Sequence, residues 1–320
     1  MSVADPAAAR TAARAAARRR WAVLGAALVL IGAGWGLTMP MTKIAVSEGY
    51  RHVGIVFWQL ALGAAILGAV TRLRGKGLPL HRAALLRYVV IALVGTLLPG
   101  VATFEAARHL PSGWLSVVLS MVPLFAFPMA LALGIDRFGW ARLAGLGLGL
   151  AGVVLLAAPT APLAAGAAIA VAWLPLALVA PALYGLEGNL VARYGLAGLD
   201  PVQLLFGASA VGAVLALGLA QATGTFIDPR PPWGAPDGAI VVSSVVHALV
   251  YTAYVWLVGR AGAVFAAQVS YLVTGFGVLF AMLILGESYG ARFWLAVSLM
   301  FAGLFLVQPR RPDATASAGP

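Results

Sequence analysis

The sequence predicts an all-α polytopic membrane protein whose ten transmembrane helices form two inverted five-helix repeats. Two observations lead to this fold class. The first is composition: 62% of the 320 residues are hydrophobic and the mean hydropathy is +0.96, whereas soluble domains are roughly 45–50% apolar. The second is an internal repeat, because the stretch 115–158 returns half a chain later.

The repeated unit is an apolar helix, a short polar break and a second apolar helix that contains glycine. Its first copy reads LSVVLSMVPLFAFPMALALGI, DRFGWAR and LAGLGLGLAGVVLLAA, and its second copy reads AAQVSYLVTGFGVLFAMLIL, GESYGAR and FWLAVSLMFAGLFLVQP. The alignment pairs Asp136 with Glu287 and Gly139 with Gly290. Because each repeat has an odd number of spans, the two halves must cross the membrane in opposite directions.

Apolar runs close to the ~20 residues that cross a bilayer define the predicted spans. These spans cover 21–46, 53–70, 86–107, 113–135 and 140–158 in the first half, and 172–192, 202–222, 239–258, 262–285 and 292–307 in the second. The chain then divides into a disordered basic cytoplasmic tail (1–20), a first repeat (21–158), a linker (159–171), a second repeat (172–309) and a cytoplasmic tail (310–320).

The distribution of Lys and Arg predicts the orientation, since cytoplasmic loops carry an excess of both residues. With the amino terminus in the cytoplasm, most of the basic residues lie on cytoplasmic segments. Lys43 lies inside the first span, and the outer side carries only Arg51, Arg108, Arg230 and Arg292. We therefore expect a multi-pass protein of the inner (plasma) membrane with both termini cytoplasmic.

Composition also excludes several function classes. The formal net charge is +11, but the basic residues separate apolar runs and form no basic face with interleaved aromatic residues, which argues against nucleic-acid binding. The chain has no cysteine and no P-loop motif, and its four histidines are scattered over different depths. We expect no enzyme activity, no metal and no cofactor, and no direct use of ATP.

The stretch FEAARHLPSGWLSVVLSMVPLFAFPMALALGIDRFGWARLAGLGLGLAGVVLL resembles the repeat of the EamA-type branch of the drug/metabolite transporter superfamily. The pair Trp35-Gly36 also resembles the first helix of that family, and the resemblance covers 21–309. It implies transport of small metabolites by alternating access, through a central cavity lined mainly by spans 1, 3, 4, 6, 8 and 9.

Two departures from the family pattern occur. The first repeat has Ile135-Asp136 where the family has Gly-Glu, a pair that the second repeat keeps as Gly286-Glu287. The second repeat has Thr274 where the first has Pro123. These departures put the detail of spans 4 and 9 in question and leave the family resemblance intact.

Glu187 and His247 are ionisable residues inside spans, where such residues usually pair or line water. Glu187, in the cytoplasmic third of span 6, is predicted either to titrate or bind a cation in the cavity, or to pair with Arg193 or with a residue of span 1. His247 shares a stripe of span 8 with tyrosines and serines. It is predicted either to couple protons or bind an anion, or to be a packed histidine bonded to serine or to a backbone carbonyl.

Small, hydroxyl and aromatic residues recur on the predicted cavity helices, where they form either packing surfaces or a moderately polar cavity with aromatic walls. The candidates for substrate binding or coupling are Trp35, Thr38, Thr103, Ser120, Glu187, Asn189, His247, Tyr251, Tyr254, Gln268 and Tyr271. Glu105 and Arg108 are predicted to form an ion pair within their helix or an outer gate. Lys43 is predicted to extend to the lipid headgroups or to bind a carboxylate, and the glycines of span 5 to allow close helix contact.

The sequence thus predicts a secondary transporter that exports amino acids or related small organic metabolites through the lipid bilayer. The solute gradient or protons would drive it, with Glu187 and His247 as the titrating candidates. An uptake carrier for an amine, a nucleobase or a vitamin is the main alternative, and a membrane scaffold without a substrate is the other.

Overall fold

The computed structural model describes residues 6–157, 172–261 and 268–307, and these residues form helices and no strand. The helices are α1 Pro6–Ala45, α2 His52–Leu73, α3 Arg82–Ile91, α4 Leu98–Ala107, α5 Ser112–Leu119, α6 Val122–Ala132, α7 Trp140–Ala157, α8 Leu174–Tyr194, α9 Pro201–Ala222, α10 Ala235–Ala261, α11 Val269–Leu285 and α12 Ala291–Val307. The predicted linker 159–171, the tail 310–320 and the beginning of the ninth span lie outside the described residues.

Long apolar helices make this a multi-pass membrane protein. Within the described ranges, seven helical segments are long and apolar enough to cross a membrane: Arg18–Ala45, His52–Leu73, Arg82–Ala107, Ser112–Ala132, Leu174–Tyr194, Pro201–Ala222 and Ala235–Leu257. Three shorter apolar helices lie at the places of the other predicted spans: Trp140–Leu156, Val269–Leu285 and Ala291–Val307. Each of the predicted spans therefore overlaps an apolar helical segment of the described residues.

The amino-terminal segment differs from its prediction. A disordered tail was expected up to residue 20, but α1 begins at Pro6 and continues into the first apolar run. The prediction of disorder is therefore wrong from Pro6 onward. The physical reason is composition, because Ala and Arg are among the residues with the highest helix propensity.

Two prolines interrupt the helices of the first half. Pro99 has no N–H to donate to the carbonyl of Gly95 four residues earlier, and a π-helical segment, Ala92–Leu97, joins α3 to α4 just before it. Pro123 likewise follows the break between α5 and α6. In the second half α11 continues without interruption past Thr274, which occupies the position of Pro123 in the repeat. The presence of Thr274 in place of a proline thus goes with a continuous helix in the second half, where the first half has a break.

The strongest helix contacts form a pattern that is preserved when the two halves are exchanged. Helix α1 packs against α10 and α11, and its repeat counterpart α8 packs against α4 and α6. Helix α2 packs against its counterpart α9, and α7 packs against its counterpart α12. The first helix of each half therefore lies among helices of the other half.

Glycines bring α7 and α12 into close contact. A Cβ atom on Gly145 would lie 2.6 Å from the carbonyl oxygen of Gly303, and one on Gly303 would lie 2.5 Å from that of Gly145. A Cβ atom on Gly152 would lie 2.9 Å from the carbonyl of Ala296. The predicted role in helix contact is confirmed for Gly145 and Gly152, whereas Gly147 has open space around it.

Asp200 ties the loop after α2 to the beginning of α9. Its carboxylate accepts hydrogen bonds from Arg74 Nη2 at 2.7 Å and Lys76 Nζ at 2.8 Å. It also caps α9 by accepting from the N–H of Val202 at 2.8 Å. Burial raises the pKa of Asp200, but these hydrogen bonds outweigh burial and hold the pKa well below its usual range.

Candidate functional site

Two adjoining cavities lie between the helices, with volumes of about 290 Å³ and 480 Å³. Five residues line both cavities and form the boundary between them: Trp35, Gln59, Gly100, Tyr184 and His247. Residues of α1, α2 and α4 thus meet residues of α8 and α10 at this boundary. The cavities lie at the junction of the two halves of the chain.

The smaller cavity contains Glu187, which faces the π-helical segment. A Cβ atom on Gly95 would lie 2.5 Å from Glu187 Oε1, so the carboxylate rests directly on the backbone there. Within the described part of the chain, Glu187 makes no hydrogen bond or ion pair. The predicted alternative, a pair with Arg193, is absent, and the Arg193 guanidinium instead lies 5.7 Å from the ring centre of Tyr194.

The larger cavity has hydroxyl groups on several walls. Thr38 Oγ1 donates to the Trp35 carbonyl at 2.6 Å and Ser120 Oγ donates to the Val117 carbonyl at 2.6 Å. Because these hydroxyl hydrogens are used within their own helices, the oxygens offer the cavity mainly acceptors. Other lining residues with hydroxyl groups are Thr42, Thr103, Ser116, Tyr184, Tyr254, Ser270 and Thr274.

His247 and Trp35 join the two halves at the boundary of the cavities. The Trp35 indole N–H donates to His247 Nδ1 at 3.3 Å, and the Trp35 ring also packs against Tyr254 with ring centres 5.3 Å apart. An accepting Nδ1 carries no proton, so this arrangement requires the neutral imidazole. The predicted bond to a serine is absent, since Ser243 and Ser244 both donate to the carbonyl of Ile240.

Most of the predicted candidates line one of the cavities: Trp35, Thr38, Thr103, Ser120, Glu187, His247, Tyr251 and Tyr254. Three do not. Asn189 Nδ2 donates at 2.9 Å to the carbonyls of Ala126 and Gly185 and so holds α8 against α6. Gln268 is exposed just before α11, and Tyr271 packs against Phe301 with ring centres 5.7 Å apart.

Sequence reasoning missed two polar residues that line both cavities. Gln59 is the only side-chain amide in the predicted span 53–70, and that isolation in an apolar run was a usable signal. Tyr184 precedes Glu187 by three residues, which places both on one side of α8. A search for polar residues one turn from each buried charge would have identified Tyr184.

Ion pairs and helix caps cluster outside the cavities. The predicted pair between Arg108 and Glu105 is present at 3.1 Å, and His52 of α2 approaches Glu105 to 2.7 Å. Lys43 does not extend to the headgroups as predicted, because its Nζ donates to the carbonyls of Ala107 at 2.6 Å and Leu110 at 2.9 Å. Ala107 is the last residue of α4 and Leu110 lies in the turn that follows, so Lys43 sits at a helix end where the dipole favours a cation.

Glu287 of the second repeat caps a helix of the first. Its carboxylate accepts from the N–H groups of Ser112 at 2.8 Å and Gly113 at 3.2 Å, at the beginning of α5, and the Tyr289 hydroxyl donates to it. Its counterpart Asp136 pairs instead with Arg142 in its own hairpin. The two acidic hairpin residues therefore have different partners.

The chain matches the profile of the EamA-like transporter family twice, over residues 20–158 and 171–308. A probable terminal-alkyne amino-acid exporter from Streptantibioticus cattleyicolor is 25% identical in an alignment of 142 residues that covers 41% of this chain and 43% of that protein. The chain thus spans less than half the length of that curated relative. A solved crystal structure described only as that of a protein is 20% identical, with a TM-score of 0.59 over 88% of this chain and 97% of the other. That structure shares the fold.

Proposed function

Because the chain belongs to the EamA-like transporter family, we propose that it is a secondary transporter that exports amino acids or related small organic metabolites by alternating access. The observation that carries this proposal is the pair of adjoining cavities at the junction of the two halves, with Glu187 and His247 in their walls. Substrate sites at the interface of repeats are typical of secondary transporters.

The proposal includes ten membrane crossings with both termini in the cytoplasm of a cell with an inner membrane. The distribution of Lys and Arg supports this topology, as does the exchange symmetry of the helix contacts. The repeats are taken as 21–158 and 172–309, joined by the linker 159–171, with 1–20 and 310–320 as cytoplasmic tails. The two separate matches to the family profile support this division.

The amino-acid class rests on the relative, which is named as a probable amino-acid exporter. The cavity walls supply aromatic rings, hydroxyl groups and one carboxylate, which suit a small polar compound with an apolar part. An uptake carrier for an amine, a nucleobase or a vitamin is the second candidate, and the single carboxylate favours the amine among these.

Proton coupling through Glu187 and His247 forms part of the proposal. Both residues line the smaller cavity, where Tyr184 and Tyr251 lie near Glu187 and Trp35 bonds to His247. A proton on His247 Nδ1 would remove the bond from Trp35, so protonation would change a contact between α1 and α10. A proton on Glu187 would remove the only negative charge of the described cavity walls.

The test measures exchange of labelled amino acids by purified protein in liposomes between pH 5 and pH 9. We expect Glu187→Gln and His247→Gln to flatten the pH dependence. Glu48→Gln makes the same carboxylate-to-amide change at an exposed position outside both cavities, and it should leave the profile unchanged. Wild-type profiles in both cavity variants would contradict proton coupling. If no metabolite of a broad panel crosses the liposome membrane, the result contradicts transport and favours a membrane scaffold without a substrate.

A further inference from the structure

The described walls of the two cavities contain one carboxylate and no permanent cation. Among the described residues that line them, Glu187 is the only acidic one, and no Lys or Arg is present. The segments 158–171 and 262–267, which lie outside the description, contain no Lys or Arg in their sequence either. Among the described lining residues, a substrate that enters therefore meets a negative group and no permanently positive one.

Glu187 has no counter-ion of its own in the described part of the chain. Its carboxylate rests on Gly95, where a Cβ atom would lie 2.6 Å from the carboxyl carbon. An ionised carboxylate within a membrane usually pairs or lines water, and Glu187 lines a cavity without a counter-ion among the described residues. A cationic group on the substrate supplies that partner, whereas an anionic substrate is repelled.

Aromatic rings line the cavity that holds this carboxylate. Tyr184 and Tyr251 line the same cavity, with Tyr184 three residues before Glu187 on α8, while Trp35 lies at the boundary with the larger cavity. Ring faces attract ammonium groups, and the attraction strengthens where water is excluded. The carboxylate and the rings thus favour the same chemical group.

The remaining polar groups of the described lining offer a substrate carboxylate hydrogen bonds but no positive charge. His247 is neutral, because its Nδ1 accepts from Trp35, and that bond also occupies the indole N–H. The hydroxyl groups of Thr38 and Ser120 donate to carbonyls of their own helices. The donors left to the cavities include the Gln59 amide, the Nε2–H of His247, and the hydroxyls of Thr103, Ser209, Ser270 and the tyrosines, and all of them are neutral.

We propose that the substrate is recognised by a protonated amine, with Glu187 as its counter-ion and Gly95 as the positioning residue, and that a free carboxylate on the substrate is not required. This inference rests on the proposed transport function and narrows its substrate class. Amines and carboxyl-blocked amino acids should bind better than the parent amino acids.

The test uses matched ligands on purified protein at pH 7, with dissociation constants from calorimetry. Three series each contain an amine, the corresponding amino acid and the corresponding deaminated acid: phenylethylamine, phenylalanine and phenylpropionate; tryptamine, tryptophan and indolepropionate; butylamine, norvaline and pentanoate. In at least one series the amine should bind about tenfold more tightly than the amino acid, and the acid should not bind detectably.

Variants locate the effect at Glu187. Glu187→Gln should abolish the preference for the amine, Glu187→Asp should reduce it, and Glu48→Gln should preserve it, with thermal unfolding as the check that each variant is folded. Three results would each overturn the inference. They are equal binding of the amine and the deaminated acid, a preference for the amine that survives Glu187→Gln, and no binding in any series. Transport of amino acids in liposomes is a separate readout, and it supports the proposed function even when the amine preference fails.

Discussion

The absence of a side chain at residue 95 allows the Glu187 carboxylate to lie against the backbone of the π-helical segment. We expect Gly95→Ala to reduce transport severalfold and to leave the thermal unfolding temperature almost unchanged. The new Cβ atom would lie 2.5 Å from Glu187 Oε1, but that oxygen ends a flexible side chain, which can move aside at little cost to stability. Liposome transport and thermal unfolding measure the two effects.

Gly188→Ala is the matched control, because it makes the same change beside Glu187 at a position with no atom within 4 Å of the new Cβ. It should transport at the wild-type rate. Equal transport by both variants would show that the position of Glu187 does not matter for function.

The ion pairs of Asp200 should make the free energy of unfolding depend on pH. We expect Asp200→Ala to reduce the free energy of unfolding by about 0.5–2 kcal/mol through loss of the helix cap, and Asp200→Asn, which can still cap, to lose only the charge. Because the folded pKa lies below the unfolded value, the contribution of the charge is complete above the unfolded pKa and is lost as the pH falls.

Thermal unfolding of wild type and Asp200→Asn between pH 8 and pH 3 measures this dependence. The difference between the two proteins should be constant above about pH 5, where the unfolded carboxyl is ionised, and should shrink below it. A difference that grows toward acid would contradict the sign of the shift.

At the scale of the helix, the contact between α7 and α12 depends on glycine. We expect Gly145→Ala to destabilise the protein by about 1–3 kcal/mol, the usual cost of excess volume in a packed interior. The new Cβ atom would lie 2.6 Å from the backbone carbonyl of Gly303, which cannot move without moving its helix. Gly147→Ala in the same helix meets open space and should be neutral or slightly stabilising. Thermal unfolding in detergent compares the two.

Helix positions could be predicted from the sequence, whereas their partners could not. A bilayer requires continuous apolar helices, so hydropathy located every apolar segment. The break after Leu119 and the π-helical segment before Pro99 required knowledge of how each helix accommodates its proline. Lys43 was misjudged because its acceptors, the carbonyls of Ala107 and Leu110, are distant in sequence.

The candidate site was predictable to a similar degree. Glu187 and His247 could be identified as cavity residues because ionisable side chains are rare in apolar spans. Gln268 and Tyr271 were chosen as polar and aromatic residues of the ninth predicted span, and residue type does not reveal which side of a helix meets the cavity. Gln59 escaped attention because α2 was not among the helices that the family resemblance assigned to the cavity.

At the scale of the whole molecule, the exchange of first helices between the halves has a consequence for biosynthesis. Helix α1 leaves the ribosome long before α10 and α11, the helices against which it packs. Until those helices are made, its inward face, including Trp35, must contact lipid or other incomplete segments. Membrane insertion and final assembly are therefore separated in time, and neither half completes its packing without the other. Two halves expressed as separate polypeptides should be degraded singly and should accumulate when they are produced together.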